Sequence, residues 1–203
     1  TTFVEALKGM KSEKTEGTIR TERDLSIRTI LLGVLLMILS IWLLPQLPVS
    51  LLGALLVVVF GFFFATVSSR MVGLVGSSNN PISGMTIATL LFAALCLKTV
   101  GDVGIHGMIG AIAISSVICI VAAMAGDASQ DLKTGFLLGA TPKRQQIGEL
   151  IGVVISSFTI GRVMLLFNSA WGFGSTELSA PQATLMKMIV EGVMNNNLPW
   201  ALI

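Results

Sequence analysis

Three groups of residues in this chain of 203 combine types and spacings that could do chemistry. The first is Gly76-Ser77-Ser78-Asn79-Asn80-Pro81-Ile82-Ser83-Gly84, polar and helix-breaking between two apolar stretches. A helix interrupted there presents free amides and carbonyls, partial charges that can hold a polar solute. Asn79, Asn80, Pro81, Ser83 and Gly84 are therefore candidate substrate-binding residues. A proline-kinked helix with small residues for close packing accounts for the same run without a ligand. The second group is Thr184, Lys187, Glu191 and Asn195, whose three- and four-residue spacing lines one face of a helix. Lys187 and Glu191, with Arg162 in the preceding apolar stretch, are the candidate ion-coupling residues. Charge inside a span is costly unless it is paired or wet, and a carboxylate beside a cation can exchange a proton when its exposure changes. An internal ion pair that only fixes helix packing is the competing reading. The third group is Asp127, Gln130, Asp131 and Lys133, in the most polar stretch after residue 28. Asp127 and Gln130 have capping-box spacing, which predicts a short helix from Asp127 to Gly139. A solvated connector with a membrane-hugging apolar side (Phe136, Leu137, Leu138) needs no further role.

The elements that must position these groups follow from composition. Hydrophobic residues make up 53% of the chain and charged residues 12%, against about a quarter charged in ordinary soluble proteins. Of the 24 charged residues, 11 lie within residues 1–28, and none occurs in 29–69, 71–97 or 103–126. So little charge cannot cover a soluble surface, which makes this a polytopic all-α membrane protein. Stretches of about 20 apolar residues, each long enough to cross about 30 Å of hydrocarbon, place spans near 26–44, 49–67, 71–97, 105–125, 146–167 and 181–197. That gives five to six crossings, the third broken at mid-depth, preceded by a polar segment over residues 1–25. With the N-terminus cytoplasmic, ten Lys and Arg residues (Lys8 to Arg28, Arg70, Lys133, Lys143, Arg144) fall inside and Lys98 alone outside.

A net charge of +2, spread along the chain, argues against nucleic acid as a partner. Cys96 and Cys119 sit in apolar runs and read as small buried hydrophobes, and one histidine with no Cys-x-x-Cys offers no metal site. No nucleophile elbow, Walker-type loop or His-Glu-x-x-His is present, so neither an enzyme nor a bound cofactor is expected. The chain opens at Thr1 and stops in the apolar run from Leu198 to Ile203, from which both ends are expected to lie inside a longer polypeptide.

The blocks from Ser78 to Thr86 and from Gly126 to Pro142 resemble the oligopeptide transporter (OPT) superfamily, most closely its prokaryotic branch. Arg20-Thr21-Glu22-Arg23-Asp24-Leu25 and the stretch 177–197 are similar too, so the likeness runs through nearly the whole chain. The resemblance implies a fragment from the later half of a transporter with well over ten helices, in a family of proton-coupled importers of peptides and metal chelates. The expected partners are then the lipid bilayer, the remaining helices of the same protein and a small peptide or chelate, with homo-oligomerisation left open. The expected location is the prokaryotic cytoplasmic membrane. A channel or pore-lining module, or a structural subunit without flux, is the alternative, although neither needs a broken helix together with an ionisable stripe.

Overall fold

The computed structural model describes residues 19–43 and 49–197. Six helices follow in order: α1 (Ile27–Leu43), α2 (Leu51–Val75), α3 (Ile82–Thr99), α4 (Ile105–Leu137), α5 (Pro142–Ala170) and α6 (Pro181–Met194). No strand occurs among the described residues. Helices α2 to α5 are each long and apolar enough to cross a membrane. Helix α1 has 17 residues, about 26 Å of rise. The fold is therefore the expected all-α membrane bundle.

The core lies where α2, α3, α4 and α6 meet. Leu90, Leu97, Ile114, Ile118, Ile189 and Val190 are its largest fully buried apolar side chains. Lipid tails are as apolar as leucine, so helices in a membrane associate through close packing and hydrogen bonds. Small residues supply the packing: Ala93, Ala94, Ala111 and Ala122 are all buried. At Gly53 a Cβ would come within 3.0 Å of Ile114 Cδ1, and at Gly61 it would lie 3.9 Å from Val121. Residue numbers rise together along this seam, so α2 and α4 run parallel, with α3 returning between them.

Three boundaries differ from the sequence expectation. Helix α2 does not end at Ser68-Ser69-Arg70; it continues to Val75. Both serines are accommodated within the helix, since Ser68 Oγ donates to Ala122 O at 2.5 Å and Ser69 Oγ to Ala125 O at 3.2 Å. The predicted break at 76–84 is consequently the junction between α2 and α3, except that residues 82–84 form the first turn of α3, an uninterrupted helix of 18 residues. No new helix starts at Asp127 either, because α4 runs unbroken through the polar block to Leu137. Gly139, at φ +73°, stops it with paired bonds from Gly139 N to Phe136 O and from Ala140 N to Gly135 O. Helix α5 then begins at Pro142, behind Thr141, as the threonine-proline pair predicts.

The last helix departs most. Alternating crossings require α6 to run parallel to α4, yet it runs antiparallel to it. Met194, at its C-terminal end, faces the first turn of α4, where it would lie 3.4 Å from a Cβ at Gly107. Lys98, at the end of α3, donates from Nζ to Val193 O and to Asn196 Oδ1, each at 2.6 Å. With 14 residues α6 spans about 21 Å, less than the hydrocarbon layer. It is a half-length helix whose C-terminal end shares a face with the end of α3. The 181–197 segment is therefore not a sixth alternating crossing. No residue of α5 is buried.

Candidate functional site

The α2–α3 junction and the polar block of α4, 46 residues apart in sequence from Asn80 to Gly126, meet in space. Gly76, at φ +80°, ends α2 and leads into the single 3-10 turn Ser77–Asn79. Pro81 then precedes the first residue of α3. Ser77 N donates to Gln130 Oε1 at 2.8 Å, and Ser129 Oγ reaches Ser69 O at 3.5 Å. Asn80 Nδ2 donates to Ser68 Oγ at 2.6 Å. The orientation of the Asn80 amide follows from simple accounting. Ser68 has one hydroxyl proton and gives it to a carbonyl, so toward Asn80 it can only accept. The amide nitrogen must face it, which turns Oδ1 away. Asn80 Oδ1 is buried and has no hydrogen-bond partner among the described residues.

Gly126 makes this approach possible. A Cβ there would lie 2.7 Å from Asn80 Nδ2, 2.9 Å from Val72 Cγ2 and 3.0 Å from Ser68 Oγ. Gly126 is 21 residues from Ile105, about 32 Å along α4. An apolar layer of about 30 Å that begins at the first turn of α4 ends at this junction. The broken segment therefore belongs to one membrane boundary and not to mid-depth. Of the other residues singled out there, Asn79 is exposed and donates from Nδ2 to Val75 O at 3.2 Å, while Pro81, Ser83 and Gly84 are exposed.

The ionisable stripe lies near the opposite boundary. Lys187 Nζ and Glu191 Oε1 are 3.7 Å apart, with 68% and 41% of their side chains exposed. They rim an apolar groove of about 330 Å³ between α6 and the start of α4, walled by Ile105, Met108, Ile109, Ile112 and Val190. Ile112 and Gly126 are 14 residues apart on α4, so the two candidate loci are separated by about 21 Å. Arg162 is exposed on α5 and shares no hydrogen bond or ion pair with Lys187 or Glu191 among the described residues. The structure thus joins the first and third sequence groups, pairs two members of the second, and leaves Arg162 apart.

The third group divides. Gln130 serves the junction; Asp131 lines a separate cleft between the α4–α5 turn and Arg20. Lys133 Nζ lies 5.2 Å from the centroid of the Phe136 ring, and Asp127 is exposed. Two residues that matter were not named from sequence as candidate site residues. Ser68 could have been found from a Ser-Ser pair inside an otherwise apolar helix; Lys98 could have been found as the one basic residue on its face. Among the described residues no cluster of His, Cys, Asp or Glu could hold a metal ion.

Comparison with known proteins shows the family. A family model described as "OPT oligopeptide transporter protein" matches residues 4–203. The chain is 38% identical over 167 residues to a Haemophilus influenzae protein named "Putative oligopeptide transporter", an alignment covering 73% of this chain and 26% of that protein. A Saccharomyces cerevisiae protein of similar description is 35% identical over 126 residues, covering 59% of this chain and 16% of its own. An Arabidopsis thaliana protein named "Probable metal-nicotianamine transporter" is 34% identical over 94 residues, covering 43% and 13%. The chain thus spans about a quarter of the length of the Haemophilus relative. No solved structure matches.

Proposed function

Because the chain belongs to the oligopeptide transporter family, we propose that it forms part of a proton-coupled secondary transporter for small peptides or peptide-like metal chelates. The observation that carries the coupling is the Lys187–Glu191 pair. It stands 3.7 Å apart on a helix too short to cross, at the rim of an apolar groove. A carboxylate beside an ammonium is a pair through which a proton can be exchanged when its exposure to water changes. A helix that reaches only part of the way through the membrane puts that exchange where solvent access can alternate between faces. The α2–α3 junction is the proposed solute-binding region, with Asn80 as its central residue and Asn79, Pro81, Ser83 and Gly84 beside it. Its position at a boundary supports a role at the cytoplasmic end of the pathway, given the positive-inside distribution. The same distribution supports a reading in which the chain lies in a prokaryotic cytoplasmic membrane with the N-terminal side of α1 facing the cytoplasm.

The test is uptake by the intact polypeptide in liposomes under an imposed pH gradient, with a panel of peptides and metal chelates. Glu191→Gln keeps the shape and removes the carboxylate, so pH-driven uptake is lost while protein yield and exchange without a gradient remain. Undiminished pH-driven uptake by the variant refutes the coupling role.

A further inference from the structure

The cleft at the α4–α5 turn is absorbed by none of the roles above. It has a volume of about 520 Å³ and is lined by Arg20, Asp131, Thr134, Thr141, Arg144 and Gln145, among others. We propose that it binds the headgroup of an anionic glycerophospholipid, the phosphate between Arg20 and Arg144 and a headgroup hydroxyl on Asp131.

Three observations carry this. The first is position. Arg20 Nη2 donates to Gly139 O at 2.7 Å, Lys143 N to Arg23 O at 2.9 Å, and Leu25 N to Gln146 Oε1 at 3.0 Å. These bonds tie residues 20–25 to the α4–α5 turn just before α1 begins at Ile27. The cleft therefore sits beside the point where α1 enters the apolar layer. Arg144 lies six residues before Leu150, where the long apolar run of α5 begins, about 9 Å of helix. An arginine side chain covers much of that distance when it reaches back toward the interface.

The second is charge. Arg20 and Arg144 outnumber the single carboxylate that lines the cleft, Asp131, while Glu149 on α5 acts on Asp131 electrostatically and Lys143 adds positive charge on the same turn. The Arg144 side chain makes no hydrogen bond or ion pair among the described residues, so its guanidinium is available to a phosphate. Basic pockets on the cytoplasmic side of helix ends are suited to acidic headgroups. Asp131 selects further: it repels a bare phosphate but accepts from the hydroxyls of a glycerol headgroup. The third is the apolar rim. Leu137 and Leu138 are 73% and 82% exposed at the end of α4, and Phe136 is exposed beside them. Acyl chains of a bound lipid would cover them, whereas a soluble phosphate would leave them in water.

Native mass spectrometry of the intact polypeptide, titrated in detergent with phosphatidylglycerol or phosphatidylcholine, tests the proposal. The wild type retains phosphatidylglycerol in preference to phosphatidylcholine. Arg144→Gln, which breaks no internal bond, lowers that retention about fivefold, the worth of one interfacial arginine, and Arg144→Lys restores part of it. Lys143→Gln removes equal charge from the same turn outside the cleft and leaves retention unchanged. Equal loss in Lys143→Gln, or none in Arg144→Gln, overturns the site. Displacement of the lipid by inorganic phosphate at comparable concentration reassigns the cleft to a soluble anion and overturns the lipid proposal.

Discussion

Gly126→Ala isolates the contact on which the α2–α3 junction depends. In an ordinary helix interior the exchange is favourable by about 1 kcal/mol, because alanine has the higher helix propensity. Here the added methyl would stand 2.7 Å from Asn80 Nδ2 and 2.9 Å from Val72 Cγ2, several tenths of an ångström inside normal contact. Neither neighbour can yield cheaply. Val72 is buried, and Asn80 is held by its 2.6 Å bond to Ser68, whose own hydroxyl is held by Ala122 O. Overpacking of this kind costs about 1–3 kcal/mol, and displacing the Asn80 amide loses a hydrogen bond worth about 1 kcal/mol. The expected sum is a loss of about 1–3 kcal/mol after the propensity gain. Gly73→Ala on α2 is the control, since nothing lies within 4 Å of a Cβ there. The assay is thermal unfolding of the intact polypeptide in detergent, with both variants measured beside wild type. Asn80→Ala, combined with Gly126→Ala, should recover part of the loss, a coupling of roughly 0.5–3 kcal/mol. If Gly126→Ala is as stable as Gly73→Ala, Asn80 is not pinned as described and the junction reasoning fails.

Three further outcomes are expected. Lys98→Met should loosen the C-terminal end of α6, because it removes two charge-assisted bonds of 2.6 Å worth about 1.5–3 kcal/mol each; faster hydrogen exchange over residues 189–197 than over α3 reports it, and unchanged exchange argues against the clamp. Single cysteines at Asn196 and Lys98 should react with a membrane-impermeant maleimide from one face and a cysteine at Lys143 from the other, whereas labelling of residues 196 and 143 from one face contradicts the antiparallel placement of α6 on α4. Ser68→Ala leaves Asn80 Nδ2 without its acceptor and frees the amide to turn, so the KM for solute should rise with kcat little changed, and Ser68→Thr should restore it; equal falls in both parameters for alanine and threonine would indicate a folding defect.

Much of this architecture is legible from local chemistry. The Pro142 start of α5, the Pro181 start of α6 and the Asn195–Asn197 stop each depend on one or two residues with strong backbone preferences, and each is found where those preferences place it. Local signals misled where the deciding partner is distant. Ser68-Ser69-Arg70 looks like a polar end to a span, but a hydroxyl that bonds a carbonyl on a neighbouring helix is as well satisfied as one in water. Asp127 with Gln130 looks like a capping box, yet a box works only where the chain is already free to begin a helix. Here Gly126 is packed inside one. The reversal of α6 was invisible for the same reason. Alternation along the chain assumes that every apolar segment crosses, and the Lys98 bonds to residues 193 and 196, with Met194 beside Gly107, reveal that this one does not.

The reversal bears on mechanism. Had α6 crossed in alternation, its charged stripe would have run the full depth beside α4, and Arg162 could have met it as a third member. As a half-length helix antiparallel to α4, α6 brings the Lys187–Glu191 pair about 21 Å from the Asn80 junction. A proton event at one locus and a solute event at the other cannot then be coupled by direct contact. They share two elements: α4, whose Gly107 and Ile112 face α6 and whose Gly126 and Gln130 hold the junction, and α3, which begins at the junction and holds the end of α6 through Lys98. On the proposed coupling, α3 and α4 together carry the change from one locus to the other and move against α2. The small-residue seam at Gly53, Gly61 and Ser68 is the surface on which such a shift would occur. A disulfide across that seam, from cysteines at Gly61 and Val121, should stop uptake when oxidised and release it when reduced, while the same pair must leave solute binding in place. Uptake that persists with the seam locked would mean that the two loci communicate through helices outside this segment.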